Sequence, residues 1–214
     1  MVTTQVPFQG KDVLMRFFVP QTDLFDGTGS LVSFTVSQTP LADANQDGVV
    51  TTDDVIAKVD GVPVSILSID VNTGEVILDS APAAGTDNVS LESHYEHEPI
   101  LATAVSIAEE VENIELDQLS TDAKLIAETS LSIDGEVTLQ KEDADMTRLF
   151  WGGNSFNAAR TKFILKLQQT RGAKVYTYYY NEVKLWTRDE EQNAGDVTEE
   201  TFTLTAAGAK VLEV

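Results

Sequence analysis

Apolar and polar residues alternate with a period of two through much of this chain. Leu131, Ile133, Val137 and Leu139 interleave with Ser130, Ser132, Asp134, Glu136 and Thr138. That spacing predicts a half-buried strand, bent at Gly135. Phe163, Leu165 and Leu167 alternate with Lys162, Lys166 and Gln168, and Ile164 breaks the polar face. Val175 to Trp186 is rich in Tyr and Val and reads as another long strand. Phe202 and Leu204 alternate with Thr201, Thr203 and Thr205. Earlier strands are expected over Val13–Val19, Leu31–Val36, Val64–Ile69, Glu75–Leu78, Val89–Tyr95 and Ala102–Leu116. The last of these changes phase: Val105, Ile107 and Val111 are odd, but Ile114 and Leu116 are even. A bulge near Glu112–Asn113 would reconcile them. Turn signals fall at Asp60-Gly61, Asn72-Thr73-Gly74, Gly85-Thr86-Asp87, Arg171-Gly172 and Ala194-Gly195-Asp196.

The three-to-four residue spacing of a helix is rarer. Asp143 is a cap, Met146, Leu149 and Phe150 form one stripe, and Gly152-Gly153 is a stop. A short helix is also expected after Thr52, with Val55, Ile56 and Val59 on one face. The pattern as a whole predicts a mainly β, antiparallel protein with one flanking α-helix.

Charge and composition narrow the chemistry. The 214 residues carry 35 acids and 14 bases, a net charge of −21, with no cysteine. The low pI argues against a nucleic-acid-binding surface, because phosphate binding needs clustered Lys and Arg. Without Cys there is no disulfide, thiolate nucleophile or Cys-ligated metal. No stretch approaches the roughly 20 apolar residues of a membrane helix. Met1–Gly10 lacks the basic start and apolar run of a signal peptide. Between Lys58 and Lys124 there are 14 acids and no Lys or Arg. Such a segment repels itself at ordinary ionic strength. Bound divalent cations, molar salt or a functional negative surface would each offset this.

One motif carries specific chemistry. Residues 43–54 read Asp-Ala-Asn-Gln-Asp-Gly-Val-Val-Thr-Thr-Asp-Asp. As a twelve-residue calcium loop, Asp43, Asn45 and Asp47 take positions 1, 3 and 5, and Gly48 makes the sharp turn at 6. Val49 offers its carbonyl at 7, Thr51 an oxygen at 9, and Asp54 closes the loop at 12. A hard cation needs six to eight oxygens at about 2.4 Å, and this spacing wraps them around one point. The expected cofactor is therefore structural Ca²⁺. The loop resembles that of dockerin modules, which also end in Asp, but one copy is present and Thr39-Pro40 stands where an entering helix would be. The bland alternative is a solvated Asp/Asn/Gly turn.

Other candidates are weaker. His94 and His97 are the sole histidines, and a charged strand end explains them better than a metal site. The acids of Glu109-Glu110-Val111-Glu112 and Asp189-Glu190-Glu191 have no fixed separation, which paired-carboxylate catalysis requires. The stripe of Tyr176, Tyr178 and Tyr180 suits sheet or interface packing. No nucleophile elbow, P-loop or dinucleotide fingerprint occurs, so an enzyme is not expected.

The second half follows a recognisable order. A long strand pair over Ala123–Gln140 precedes Lys141-Glu142-Asp143-Ala144-Asp145-Met146-Thr147-Arg148-Leu149-Phe150-Trp151-Gly152-Gly153. Two long strands then contain Thr161–Leu167 and Val175–Leu185, and Gly195-Asp196 leads into Glu200–Thr205. This order resembles the major tail tube proteins of tailed viruses. The resemblance covers roughly residues 100–214, with Val6–Leu14 as a first strand. It implies a β-sandwich or barrel of tail-tube type with one flanking helix. It also implies self-assembly into stacked hexameric rings in the virion tail, contacts with other tail proteins, and viral DNA passing through the lumen without specific binding. No membrane is involved. On this reading residues 1–19 and 100–214 form the core, and 20–99 is an inserted β region holding the 43–54 loop. The acid load resembles proteins of salt-loving hosts. Some of Glu109, Glu110, Glu112, Glu128, Asp134 and Glu136 are expected to line the lumen. The competing reading is a secreted, calcium-stabilised adhesion or carbohydrate-binding β-module.

Overall fold

The computed structural model describes residues 3–6, 13–99, 102–117, 124–139, 150, 161–171, 174–191 and 199–213. The chain is mainly β and its strands pair antiparallel. In chain order the first eight strands are β1 Thr3–Val6, β2 Val13–Gly27, β3 Ser33–Thr35, β4 Ile56–Val59, β5 Val62–Val64, β6 Ile66–Ile69, β7 Glu75–Leu78 and β8 Gly85–His97. Then follow β9 Ala102–Asp117, β10 Lys124–Leu139, β11 Phe163–Arg171, β12 Lys174–Glu191, β13 Glu199–Ala206 and β14 Gly208–Glu213. Two compact units divide the chain: Met1–Met15 with Pro99–Val214, and Arg16–Glu98.

The Arg16–Glu98 unit is a small sandwich. One sheet runs β2-β8-β4-β5 and the other β3-β7-β6. Period-two alternation supplies the core between them. Phe34, Val76 and Leu78 come from the small sheet, and Ala57, Val89 and Leu91 from the large one. Val36, Leu41 and Val55 close the ends of this cluster. Each fully buried Val, Leu or Phe contributes about 1.5–3 kcal/mol, so this cluster holds the two layers together. The β4–β5 hairpin turns at Asp60-Gly61, with φ of 49° and 78° and Val59 opposite Val62. That is the two-residue, left-handed turn the dipeptide predicts.

In the larger unit β9, β10 and β13 lie side by side, with β1 on the outer edge of β9. β12 is shared. Its first part pairs β11 on one side and β14 on the other, and Lys184–Glu191 then pairs β13. The changeover coincides with a bulge: Leu165 faces Tyr180 but Phe163 faces Val183, and Glu182 there has φ 50°. A second register shift leaves Trp186 as the extra residue between Leu185 and Thr187. Bulges of this kind bend a strand from one layer into another. Leu165, Leu167, Tyr180, Val183, Leu185, Phe202, Leu204, Ile133, Val137 and Leu139 are buried.

Several local expectations are corrected. Only one turn of 3₁₀ helix, Thr52–Asp54, follows Thr51. Val55 is already extended, and Ile56–Val59 pairs with β8 and β5. The β-branched Val55, Ile56 and Val59 fit a strand better than a helix. The Val64–Ile69 stretch breaks at Ser65 into β5 and β6, which belong to different sheets. Gly85-Thr86-Asp87 opens β8 instead of forming a turn. The bulge expected at Glu112–Asn113 falls opposite that pair: Glu128 faces Asn113 and Ser130 faces Glu112, so Thr129 of β10 is the extra residue. Leu125 and Ala127 thereby stay opposite Leu116 and Ile114, and Leu131 stays opposite Val111. The expected helix over 143–151 lies outside the described residues except for Phe150. That residue is helical and buried, its ring 6.1 Å from Phe202. The stretch 7–12 and the turns at Gly172 and 194–196 are outside them too.

Candidate metal centre and the adjoining cleft

The 43–54 segment connects the small sheet to β4. Its entrance is pinned by backbone bonds from Leu41 N–H to the Val71 carbonyl and from Ala42 N–H to the His94 carbonyl, each 2.9 Å. From there the polar side chains turn inward onto the loop's own backbone. Asp43, 4% exposed, accepts the Asp47 N–H at 3.1 Å on one oxygen and the Gly48 N–H at 2.9 Å on the other. Asn45 Oδ1 accepts the Asp47 N–H at 2.9 Å, and Asp47 Oδ1 accepts the Val49 N–H at 2.9 Å. Asp54, 6% exposed, bridges both ends: one oxygen accepts the Asn45 N–H at 2.9 Å and the other the Thr51 N–H at 2.8 Å. Thr51 Oγ1 accepts the Asp53 N–H in return, so Thr51 and Asp54 cap the 3₁₀ turn reciprocally. Gln46 at φ 61° and Gly48 at φ 99° bring the backbone round. A φ of 99° is glycine territory.

Thus Asp43, Asp47, Asn45, Asp54 and Thr51 are linked in one hydrogen-bonded chain, and exposed Val49 donates to Asp47. The donor set is all oxygen, as a hard cation requires. Each ionised carboxylate offers about four lone-pair sites. Each Asp54 oxygen accepts one N–H, which leaves acceptor capacity there for a metal. Among the described residues, no three His, Asp or Glu side chains converge as a ready metal cage. A cation here would lean on the amide, carbonyl and hydroxyl oxygens as well. The oxygen chemistry of these residues fits Ca²⁺.

No protein-family model and no curated protein matches the chain.

Beside the loop lies an open cleft of about 410 Å³. Its floor is the outward face of the larger sheet of this unit: Pro20 and Thr22 from β2, Glu92 and His94 from β8, Ile56 from β4. Asn45, Asp53 and Asp54 of the loop form its wall. Burial lowers the His94 pKa below its usual value, while the Asp54 charge pulls the other way. Glu92 is ion-paired to Lys58. Sequence reasoning missed this cleft. The signal was present in β8 alternation, which puts Glu92 and His94 on the face opposite Leu91, Ser93 and Tyr95. Only the strand order, which sets β4 and β2 on either side of β8, assembles it.

The remaining candidates separate. Glu96 and Glu98 both reach Arg16, and the His97 ring stacks on Phe17 with centroids 6.4 Å apart. Tyr180 is fully buried and Tyr176 and Tyr178 half-buried along β12. Asp134 and Glu136 are exposed on β10, opposite Thr205 and Thr203 of β13. Glu109, Glu110, Glu112 and Glu128 lie on β9 and β10 in the register given above, and their side chains, like those of Glu190 and Glu191, are outside the described set.

Proposed function

We propose that this protein is a structural subunit of a viral tail tube, self-assembling into stacked hexameric rings through which viral DNA passes. The β9–β10 pair is the observation that carries the reading. β1 covers β9 only at Ile107–Glu110, and β13 covers β10 only at Ile133–Leu139. Over 111–117 and 124–131 the two strands pair with each other, and no third described strand joins them. A two-stranded ribbon is marginal on its own in water, and its edges are templates for another chain. Neighbouring copies around a ring would complete those edges and close the sheets into a barrel.

The outward face of β10 and β13 supports the same reading. Asp134, Glu136, Thr138, Thr201, Thr203 and Thr205 make it polar and acidic, and Thr138 and Thr201 meet at 3.2 Å. A lumen that passes DNA without holding it gains from such a wall, because phosphate binding depends on positive charge. In this reading the 43–54 loop holds a structural Ca²⁺, and the long base-free stretch suits a host rich in salt, where the Debye length is short. Other tail proteins cap the tube, and no catalysis is assigned.

Negative-stain microscopy of the purified chain in calcium and high salt tests the proposal. Rings or hollow cylinders are expected. A chain that stays monomeric at every concentration and salt overturns it, as do several lysines on the inner wall of a ring structure.

A further inference from the structure

We infer that the cleft between the 43–54 loop and the outer face of β2, β8 and β4 binds a neutral saccharide through vicinal hydroxyls. The volume of about 410 Å³ lies within the ~300–1,000 Å³ range of small-ligand sites. What matters more is the kind of hydrogen-bonding capacity left over. Asn45 commits its carbonyl to the Asp47 N–H, and the amide of this exposed, cleft-lining side chain supplies N–H donors. Glu92 gives one oxygen to Lys58 and keeps the second. Asp53 presents an exposed carboxylate, since only its backbone N–H enters the loop bonding. Thr22 and the His94 ring add groups able to donate and accept.

A pair of adjacent hydroxyls matches that set. Each hydroxyl donates to a carboxylate while accepting from an amide or imidazole N–H. An ammonium ligand has donors only, and would leave the Asn45 N–H groups without an acceptor. An anionic ligand is opposed by the Asp53, Asp54 and Glu92 carboxylates and by the unit's 14 acids against 2 bases. Pro20 and the 51% exposed Ile56 supply apolar contact for the C–H face of a sugar ring. Every lining residue belongs to the Arg16–Glu98 unit.

Ligand-observed NMR on the full-length chain in calcium buffer tests this. The probes are methyl α-mannoside, methyl β-galactoside and maltose, with spermidine and glucose 6-phosphate as charged comparators. At least one neutral sugar should bind saturably. Asp53→Ala should weaken it about tenfold, the equivalent of one lost hydrogen bond to a charged group. Ile56→Glu, at an exposed position, should abolish binding with an unchanged melting curve. The inference fails if no neutral sugar saturates, if spermidine binds in preference, or if binding survives both substitutions.

Discussion

Replacing Asp43 by Ala separates what the loop owes to its own hydrogen bonds from what it owes to a cation. Among the groups this carboxylate holds are two N–H groups that are not equivalent. Asp47 N–H has a second acceptor in Asn45 Oδ1, whereas Gly48 N–H is held by Asp43 Oδ2. Removing the side chain therefore costs at least one charged hydrogen bond, which alone is roughly 1.5–3 kcal/mol, and this cost is independent of calcium. Calcium adds a second, separable effect. At a free concentration about 100 times its Kd, a native-state ligand stabilises by ~2.7 kcal/mol. For a chain of this size that raises Tm by roughly 5–10 °C. Differential scanning calorimetry of wild type and Asp43→Ala, each in calcium and in chelator, gives four curves. Wild type should gain in calcium and the variant should not. Wild-type curves that superimpose in calcium and chelator would refute calcium binding and leave the hydrogen-bond cost standing alone.

Other expectations are more local. A Cβ at Gly135 would lie 2.4 Å from the Ser106 carbonyl and 2.7 Å from Ile107 Cδ1, so Gly135→Ala should destabilise by about 1–3 kcal/mol in urea unfolding, against the usual gain from Gly→Ala. Glu200, 1% exposed, is ion-paired to Arg188. Arg188→Met should cost roughly 3–5 kcal/mol by leaving that carboxylate buried without its cation, and adding Glu200→Leu should recover most of it. The Asp70 pKa is lowered, chiefly by the Thr73 N–H and then the Asn72 N–H. Its folded value is below its unfolded one, so its stabilisation is full above the unfolded pKa and is lost as pH falls through the folded one. A carboxyl ¹³C titration with a midpoint above 3.8 would contradict this.

The β class was legible because period-two alternation is a property of neighbours along the chain. The sheet-switching of β12 was not, because the same Tyr- and Val-rich run serves two pairings and only the bulge at Glu182 shows where one gives way to the other. The error at Val55–Val59 has a similar origin. Three apolar residues at 55, 56 and 59 satisfy a helical spacing, yet the pairing of Ile56–Val59 with β8 and β5 decides the matter. In the loop, the bonds among Asp43, Asn45, Asp47, Thr51 and Asp54 link residues within twelve positions, so sequence spacing alone brought them together. The cleft draws on residues 20–94, and no local pattern joins Pro20 to Ile56 and His94.

The sharing of β12 between two pairings also has a mechanical meaning. Where two layers are joined only by side-chain packing, a tangential force slides one over the other by breaking weak contacts in turn. Here Lys174–Val183 and Lys184–Glu191 are one covalent backbone, hydrogen-bonded to β11 and β14 at one end and to β13 at the other. Shear on the larger unit therefore passes along the peptide chain, and sliding requires several ladder bonds to fail together. The strand that carries the Tyr stripe is then the one through which that load passes.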